Sequence, residues 1–402
     1  MKNAFDTLME RGFIKQVTFP DELRALLGEK GVPFYCGFDP TADSLHIGHY
    51  IPVMAMAHMQ RAGHTPIVLV GGGTAMVGDP SNRNDMRNLM DKETIKRNAD
   101  LFKMQLSKFV SFDGKNAAIV VDNADWLTNL NYIDFLRDIG SHFSVNRMLA
   151  AECFRSRLKT GLSFLEFNYM LMQAYDFLML FEKYGCSLQV GGNDQWSNIL
   201  EGADLIRRLK RKSAFALTFA LLETSNGEKM GKTQKGALWL DERKTTPYEF
   251  YQYFRNVEDV KVRECLNLLT FLENVEINEL LKGNINDAKK RLAYEVTALI
   301  HGKEKAGKAQ NEAVAAFSGN MESMPTIKIA GQLDLLMPDL LVMAGLASSR
   351  SEARRLIEGG GVKVNSEKVS KVDTPLNTMT KTPEFVLHKG KKVHVKIVIN
   401  QK

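Results

Sequence analysis

Cysteine is scarce in this 402-residue sequence, and the four that occur are far apart. There is no CxxC pair, and no histidine lies near a cysteine at the spacing of a zinc site. We therefore expect reduced thiols and no structural metal. The four residues are Cys36, Cys153, Cys186 and Cys265.

Long apolar runs are also missing. No stretch approaches the ~20 residues that a membrane-spanning helix needs. Charged residues such as Lys2 and Asp6 interrupt the segment where a signal peptide would be apolar. These absences predict a cytoplasmic protein that does not enter a membrane. With 44% hydrophobic and 25% charged residues and no internal repeat, the sequence indicates two or three globular domains.

Positive charge is concentrated at the C-terminal end. Residues 331–402 contain 12 Lys and Arg against 7 Asp and Glu, which is nearly all of the formal net charge of +6. Such an asymmetry is typical of a segment that binds a polyanion, although a merely soluble basic tail is the alternative.

Short apolar runs alternate with helical patterns through the first two-thirds of the chain. This alternation predicts a parallel sheet wrapped by helices. Turn residues follow the predicted strands, at the sheet edge where ligands bind in open α/β folds. The predicted strands are 32–37, 65–71, 117–123, 187–191 and 214–222.

The pattern changes twice after the predicted sheet. From Thr246 to about Phe317 it is helical and charged, and a polar, turn-rich stretch then precedes a compact C-terminal unit. We predict an α/β domain at 1–245, an all-α domain at 246–320, a linker at 321–332 and a small α+β domain at 333–402.

Two histidines begin the helix that follows the first predicted strand. His46 and His49 lie three residues apart on one helical face, after the turn Asp39-Pro40-Thr41. Free backbone N–H groups at a helix start, with Gly48 leaving room for close approach, suit a triphosphate. Surface histidines or part of a metal site are the alternatives.

Two lysines lie in a glycine-flanked loop beyond the last predicted strand. Lys229 and Lys232 occur in Gly-Glu-Lys-Met-Gly-Lys-Thr, residues 227–233. Alone, such a loop is usually a solvated turn. Because this loop follows the histidine motif in the sequence, however, it suggests two flexible cations that bind a pyrophosphate.

Three polar residues share one face of an otherwise apolar helix predicted over 162–184. Tyr169, Gln173 and Asp176 are spaced by four and three residues. A buried polar group without a partner costs roughly 1 to 3 kcal/mol, so a polar ligand is one explanation. An internal hydrogen-bond network is the other.

The two motifs resemble the HIGH and KMSKS signatures of class I aminoacyl-tRNA synthetases. Further segments, among them 35–39, 78–80, 122–126, 169–176 and 189–195, resemble the bacterial members specific for tyrosine. The resemblance implies a Rossmann-like catalytic domain, an α-helical anticodon-binding domain, and activation of L-tyrosine by ATP, with Mg²⁺, before transfer to tRNA. The sequence departs from the patterns at Asn82, Gly231 and Thr233.

The resemblance also implies roles for individual residues. Those around the reacting phosphates are Thr41, His46, His49, Lys229, Lys232 and Thr233. Those that bind tyrosine are Tyr35, Asp79, Asn123, Tyr169, Gln173, Asp176, Gln189 and Gln195. Those around ATP are Cys36, Gly37, Asp39, Gly48, Arg83, Arg87, Gly192 and Asp194.

The C-terminal unit resembles the S4 RNA-binding module. Ser348 or Ser349 is expected to cap a helix whose arginines face RNA phosphates, with a strand following the glycines at 359–361. A solvated helix surface is the alternative. The residues expected to bind RNA are Arg350, Arg354, Arg355 and Lys363.

Two rival functions stay open at this point. One is a synthetase of the same subclass for tryptophan, which the pairing of Tyr35 with Asp176 around a phenol disfavours. The other is an RNA-binding protein that keeps the fold without catalysis, which the presence of both motifs disfavours. The resemblance further implies a homodimer, with residues 132–143 contributing to its interface.

Overall fold

The computed structural model describes residues 2–79, 81, 90–233, 236–318, 324, 326–331, 333–390 and 393–400. The chain forms two compact units. The first comprises residues 1–232, 237–245 and 257–288, and the second comprises 233–236, 246–256 and 289–402. Among the described residues, no helix has the length and apolar character required to cross a membrane.

A six-stranded sheet forms the centre of the first unit. Its strand order is β1-β6-β5-β2-β3-β4, and every neighbouring pair is parallel except β1 with β6. The bounds are β1 Ile14–Val17, β2 Pro33–Phe38, β3 Thr65–Val70, β4 Ile119–Asp122, β5 Leu188–Gly192 and β6 Phe215–Phe219.

The predicted parallel sheet is confirmed, and β2 to β6 lie within two or three residues of the predicted strand ends. These strands are continuous apolar runs because helices cover both faces of a parallel sheet. Strand β1 was not predicted; it is a four-residue edge strand whose centre is Lys15 and Gln16. Because its two central residues are polar, the strand does not form the apolar run that predicted the others.

Helices connect these strands and follow them in the sequence as far as residue 301. Their bounds are α1 Ala4–Arg11, α2 Pro20–Leu26, α3 Ile47–Arg61, α4 Lys92–Leu106, α5 Ala124–Leu127, α6 Tyr132–Asp138, α7 Val145–Leu149, α8 Glu152–Thr160, α9 Phe164–Tyr184, α10 Trp196–Lys210, α11 Pro247–Arg255, α12 Val262–Leu269, α13 Asn274–Lys282 and α14 Ile285–His301.

Helix α9 carries three of the predicted tyrosine-binding residues, and its ends follow local sequence rules. Ser163 caps the start by accepting a hydrogen bond from the Glu166 N–H, and the Glu166 carboxylate returns to the Ser163 N–H. Gly185 ends the helix at φ +64°, a left-handed conformation that favours glycine. The buried pair Arg157 and Glu166 fixes this helix start, with the carboxylate accepting two bonds of 2.9 Å from Nη2.

Residues 246–318 are helical, as the sequence predicts, but the compact units divide this stretch. Residues 257–288 belong to the first unit, whereas α11 packs against the helix Lys303–Ser318, α15, within the second. The Phe250 ring meets the His301 ring edge-on at 5.3 Å. The domain boundaries predicted from the sequence stay predictions.

The C-terminal part of the second unit is a small α+β fold. Its sheet has the order β11-β10-β12-β13-β9, with β9 and β13 parallel and the other pairs antiparallel. Strand β9 lies inside the range predicted as a linker, of which residues 321–323, 325 and 332 lie outside the described part. The bounds of this fold are β9 Thr326–Ala330, α16 Met337–Met343, α17 Arg350–Glu358, β10 Val362–Val364, β11 Glu367–Lys368, α18 Leu376–Met379, β12 Glu384–Lys389 and β13 Val393–Asn400. Earlier in the chain, β7 Lys232–Thr233 and β8 Gly236–Ala237 form a separate two-stranded sheet.

Candidate active site

A cavity of about 300 Å³ opens at the carboxyl ends of β2 and β5. These strands are neighbours in the sheet. From β2 the chain continues to β3 on one side, whereas β5 lies on the other side of β2 and the chain continues from it to β6, away from β2. In open parallel sheets such a reversal leaves a crevice between the diverging connections, and ligands bind there. The cavity lies wholly within the first compact unit.

Most of the predicted site residues line this one cavity. Arg83 and Arg87 lie outside the described residues, as do the side chains of Lys232 and Thr233. The predicted residues that line the cavity are Tyr35, Cys36, Gly37, Asp39, Thr41, His46, Gly48, His49, Asp79, Asn123, Tyr169, Gln173, Asp176, Gln189, Gly192, Asp194, Gln195 and Lys229.

Asp176, on α9, is held by two nitrogen donors from the β4 side of the sheet. Asn123 Nδ2 donates to Oδ2 over 2.8 Å, and Trp126 Nε1 donates to Oδ1 over 2.7 Å. The carboxyl group is buried, and burial raises its pKa to about 8 although both hydrogen bonds oppose the rise. No role was predicted for Trp126, because nothing in a single sequence reveals a contact across 50 residues.

Asn123 connects this carboxyl group to the glycine-rich loop after β3. Its Oδ1 accepts a 2.7 Å hydrogen bond from the Gly73 N–H, and its Nδ2 also donates to Thr74 Oγ1 over 3.0 Å. The Asn123 amide therefore contacts both the Asp176 carboxyl group and the loop after β3, and it is nearly fully buried. Rotation of Asn123 would break several hydrogen bonds at once, so the orientation of Asp176 is determined by the loop as well as by the helix.

Three polar side-chain atoms at the cavity have no hydrogen-bond partner within the described residues. They are the Tyr35 hydroxyl, Gln173 Oε1 and Gln189 Oε1. Buried polar atoms in native proteins are nearly always paired, and leaving one unpaired costs about 1 to 3 kcal/mol. Unpaired atoms around one cavity are therefore typical of a site that binds a polar ligand.

Tyr169 and Asp176 on the same helix differ from Gln173, because each already has a protein partner. The Tyr169 hydroxyl donates to Asp39 Oδ2 over 2.9 Å, and Thr74 Oγ1 donates to Asp39 Oδ1 over 2.8 Å. The spacing on α9 thus serves both explanations considered from the sequence, an internal network and a ligand site. Thr74 is a further cavity residue that the sequence analysis missed, directly after Gly71-Gly72-Gly73.

Two carboxylates lie on the β5 side. Asp79 Oδ2 accepts a 2.8 Å hydrogen bond from Gln195 Nε2, and Asp79 Oδ1 accepts from the Ser81 N–H over 2.8 Å. Burial raises the pKa of Asp194, the nearby Asp79 raises it further, and Lys229 lowers it. This wall is therefore acidic, which suits cationic groups and ribose hydroxyls.

His46 and His49 form the start of α3 by capping it reciprocally. His46 Nδ1 accepts from the Gly48 N–H over 3.0 Å, and the His46 N–H donates to His49 Nδ1 over 3.2 Å. Burial and the nearby Lys229 lower the pKa of His46, so its ring is neutral at pH 7 with the proton on Nε2. The two rings stack at 4.0 Å.

Gly48 has a local reason to be glycine. A Cβ there would lie 2.8 Å from His46 Cε1, so a side chain would displace the capping ring. The close approach that the sequence suggested for a nucleotide is, in the structure, a close approach of the His46 ring itself.

Lys229 reaches the same cavity from a hairpin after β6. Glu223 and Lys229 pair across the hairpin, and the Met230 N–H donates to the Leu222 carbonyl over 2.8 Å. At Gly231 the backbone has φ +90°, and a Cβ would lie 1.9 Å from Ile47 Cγ2. The departure from serine at this position therefore lets the loop pack directly on the start of α3.

Two polar residues of α4 hold the turn that leads to His46. Asn98 Nδ2 donates to the Pro40 carbonyl over 3.0 Å, and Gln105 Oε1 accepts from the Leu45 N–H over 2.8 Å. Both are buried, and their spacing of seven places them on one helical face. Neither residue was predicted to have a role, although two amides on the buried face of a helix are a usable signal.

The predicted RNA-binding residues lie in the second unit, on α17 and β10. Ser349 caps α17, accepting from the Glu352 N–H over 3.2 Å, while Ser348 binds the Glu352 carboxylate. All four predicted residues are exposed: Arg350, Arg354, Arg355 and Lys363. Arg350 forms an ion pair with Asp339.

Comparison with known proteins gives consistent matches along the chain. A family described as tRNA synthetases class I (W and Y) matches residues 29–318, and the S4 domain matches residues 338–380. The tyrosine–tRNA ligase of Acetivibrio thermocellus is 58% identical over 99% of both chains. That of Clostridium botulinum is 56% identical over 99% of this chain and all of the relative. A truncated mitochondrial tyrosyl-tRNA synthetase of Aspergillus nidulans has a TM-score of 0.69 and 32% identity, covering 77% of this chain and 93% of that one.

Proposed function

Because this chain belongs to the class I tRNA synthetases, in the branch that charges tRNA with tyrosine, we propose that the cavity at the ends of β2 and β5 holds tyrosine and ATP side by side. The family reaction has two steps. The tyrosine carboxylate attacks the α-phosphorus of ATP and pyrophosphate leaves, and a ribose hydroxyl at the tRNA 3′ end then attacks the adenylate carbonyl and AMP leaves. Neither step needs a nucleophile from the protein.

The tyrosine phenol is assigned to the end of the cavity that contains Tyr35 and Asp176. The supporting observation is the unpaired Tyr35 hydroxyl beside a carboxyl group that Asn123 and Trp126 orient. A phenol can pair there, whereas phenylalanine would leave the buried groups unsatisfied; tyrosyl enzymes are the known example of this discrimination. The amino group of tyrosine is assigned to Asp79, Tyr169 and Gln173, with Gln189 and Gln195 nearby.

The phosphates are assigned to the opposite end, between the start of α3 and the hairpin. His46 is neutral and can donate from Nε2, while Lys229 supplies positive charge to the departing pyrophosphate. Thr41 and His49 are assigned to the same end. Four further residues are proposed to bind the phosphates, although their side chains lie outside the described part of the chain: Lys232, Thr233, Arg83 and Arg87. ATP is expected to enter as its Mg²⁺ complex, with the ion carried by the substrate.

The ribose and adenine are assigned to the middle of the cavity. The residues proposed for this part are Cys36, Gly37, Asp39, Gly48, Gly192 and Asp194, all of which line the cavity. Burial raises the pKa of the Cys36 thiol to about 12, so this side chain is a neutral neighbour and not a nucleophile.

The observation that carries the proposal is the presence of His46, Lys229 and Asp176 around one cavity. The decisive experiment is ATP–pyrophosphate exchange with each standard amino acid in turn. Tyrosine alone is expected to support rapid exchange. Exchange driven by tryptophan would overturn the assignment of the phenol end, and no exchange with any amino acid would overturn catalysis at this cavity.

The assembly and location are also proposals. We propose a homodimer in the cytoplasm whose interface includes α6 and the start of α9. Exposed apolar side chains support this: Ile133 is 66% exposed and Phe164 is 68% exposed. Apolar side chains as exposed as these are candidates for burial against a partner subunit. The S4-like unit is proposed to bind the transfer RNA, and the helices in 246–320 its anticodon arm.

A further inference from the structure

The hairpin that carries Lys229 is internally rigid. The Thr224 N–H donates to the Glu228 carbonyl over 2.8 Å, and the Gly227 N–H closes the turn onto the Thr224 carbonyl over 3.0 Å. Together with the pairing of Glu223 and Lys229, these bonds connect the tip of the hairpin, residues 224–228, to the arm that carries Lys229. A displacement of the tip therefore moves Lys229 with it.

The tip is bound by a carboxylate that lies outside the cavity. Glu258 Oε2 accepts from the Ser225 N–H over 2.7 Å, and Glu258 Oε1 accepts from the Ser225 hydroxyl over 2.8 Å. These bonds lower the pKa of Glu258, the backbone bond most strongly, so the carboxylate is ionised at neutral pH. Two bonds to one charged group define both position and orientation.

Glu258 is in turn carried on a fixed part of the first unit. Its carbonyl accepts from the Lys261 N–H over 2.9 Å, and the preceding Val257 is buried. At the other end of the hairpin, Gly231 packs on Ile47 and its carbonyl accepts from the Leu238 N–H over 2.8 Å. Lys229 thus lies between two anchors, one at the start of α3 and one at Glu258.

We propose that Glu258 is a positioning residue for tyrosine activation, acting through Ser225 to hold Lys229 against the phosphates of ATP. This inference rests on the proposed role of Lys229. The bond pair is exposed to solvent, so water competes with it and it can break and re-form as substrates enter and leave. Breaking it frees the tip and lowers the fraction of time that Lys229 spends in the cavity.

The test is single-turnover formation of tyrosyl-adenylate by the full-length protein. Glu258→Ala is expected to slow activation or raise the KM for ATP by about threefold to tenfold, the range of one or two solvent-exposed hydrogen bonds. The KM for tyrosine is expected to stay unchanged, because the tyrosine end contacts neither residue. A merely structural defect would instead alter both substrates and lower the Tm.

Matched variants separate the pair from general charge effects. Glu264→Ala removes a carboxylate from the same region, one that pairs with Lys261 over 2.7 Å and does not contact Ser225, and is expected to behave as wild type. Ser225→Thr keeps both donors and should retain activity, while Ser225→Ala combined with Glu258→Ala should be no slower than Glu258→Ala alone.

Three results would overturn the inference. If Lys229→Ala slows activation but Glu258→Ala leaves both the rate and the KM for ATP at wild-type values, the anchor has no role and the proposed function stands. If Glu258→Ala speeds activation, the pair holds an unproductive position. If Lys229→Ala itself has no effect, the assignment of the phosphate end is wrong, and the anchor inference falls with it.

Discussion

The indole nitrogen of Trp126 donates a 2.7 Å hydrogen bond to Oδ1 of Asp176, whose side chain lines the cavity together with that of Tyr35. Trp126 is 6% exposed and Asp176 is 2% exposed, so water does not compete for this bond. The bond favours the ionised carboxylate, yet burial is stronger and raises the pKa to about 8. Asp176 is therefore a proton-binding group in the folded protein at pH values where the unfolded chain has lost the proton.

Asp176→Asn is expected to flatten the pH dependence of folding stability. The pKa of Asp176 rises from the ordinary 3.8 to about 8 on folding. Between these values the folded state binds more protons than the unfolded state, so the free energy of unfolding falls as pH rises, by at most about 1.4 kcal/mol per pH unit. Urea unfolding at several pH values from 5 to 8 should show a shallower decline in the variant.

The control for this measurement is Asp113→Asn, which removes an exposed carboxylate that does not line the cavity. It should reproduce the wild-type slope. Parallel curves for Asp176→Asn and wild type would show that Asp176 is ionised in the folded protein.

Tyr35→Phe is expected to narrow the preference for tyrosine over phenylalanine by about fivefold to tenfold. The change removes the unpaired hydroxyl that is proposed to bond the substrate phenol, and one such bond contributes about 1 kcal/mol. The measurement is kcat/KM for each amino acid in pyrophosphate exchange. Tyr175→Phe, on the same helix as Asp176 but packed edge-on against Phe135 at 5.5 Å, is the matched control. An unaltered ratio in Tyr35→Phe would place the phenol elsewhere.

The double variant Arg354→Ala, Arg355→Ala is expected to raise the KM for tRNA while leaving pyrophosphate exchange unchanged. Both arginines are exposed on α17. If they contact phosphates, the slope of log affinity against log salt should decrease by about 1 to 2, since each contact releases a counterion. Lys381→Ala, also exposed in this unit, serves as the comparison. Equal salt slopes in the double variant and wild type would count against an RNA-binding α17.

Ile133→Glu is expected to convert the proposed homodimer to a monomer. The side chain is 66% exposed in the single chain, and burying a carboxylate in an apolar interface is costly. Light scattering coupled to size-exclusion chromatography measures the mass. Val275→Glu introduces the same charge at a side chain that is 75% exposed on α13, and should leave the mass unchanged. A monomeric wild type, or a dimeric Ile133→Glu variant, would contradict the proposed interface.

The strands and the long helices could be predicted because their signals are local. The apolar run of β3 and the Ser163 to Glu166 capping pair of α9 are visible in a few consecutive residues. Strand β1 was missed because its two central residues are polar, and β9 was included in a linker because its only buried residue is Ile329. Edge strands bury little apolar surface, so their periodicity is weak.

The candidate site was predicted in its composition and not in its contacts. The resemblance brought together Asp39, Tyr169 and Asp176, but it did not indicate that Tyr169 donates to Asp39 across 130 residues. Asn98 and Gln105 were missed because their partners are backbone atoms, which every residue has.

The sequence alone determined three properties, because each can be read along the chain without the fold. They are the order of the motifs, the periods of the helices and strands, and the concentration of positive charge at the C-terminal end. The meeting of Trp126 with Asp176 and of Ser225 with Glu258 was decided only by the tertiary structure. The members of these pairs are 50 and 33 residues apart in the sequence, and the fold brings them into contact. Their distances depend on the twist of the sheet and the packing of its helices, which no local pattern encodes.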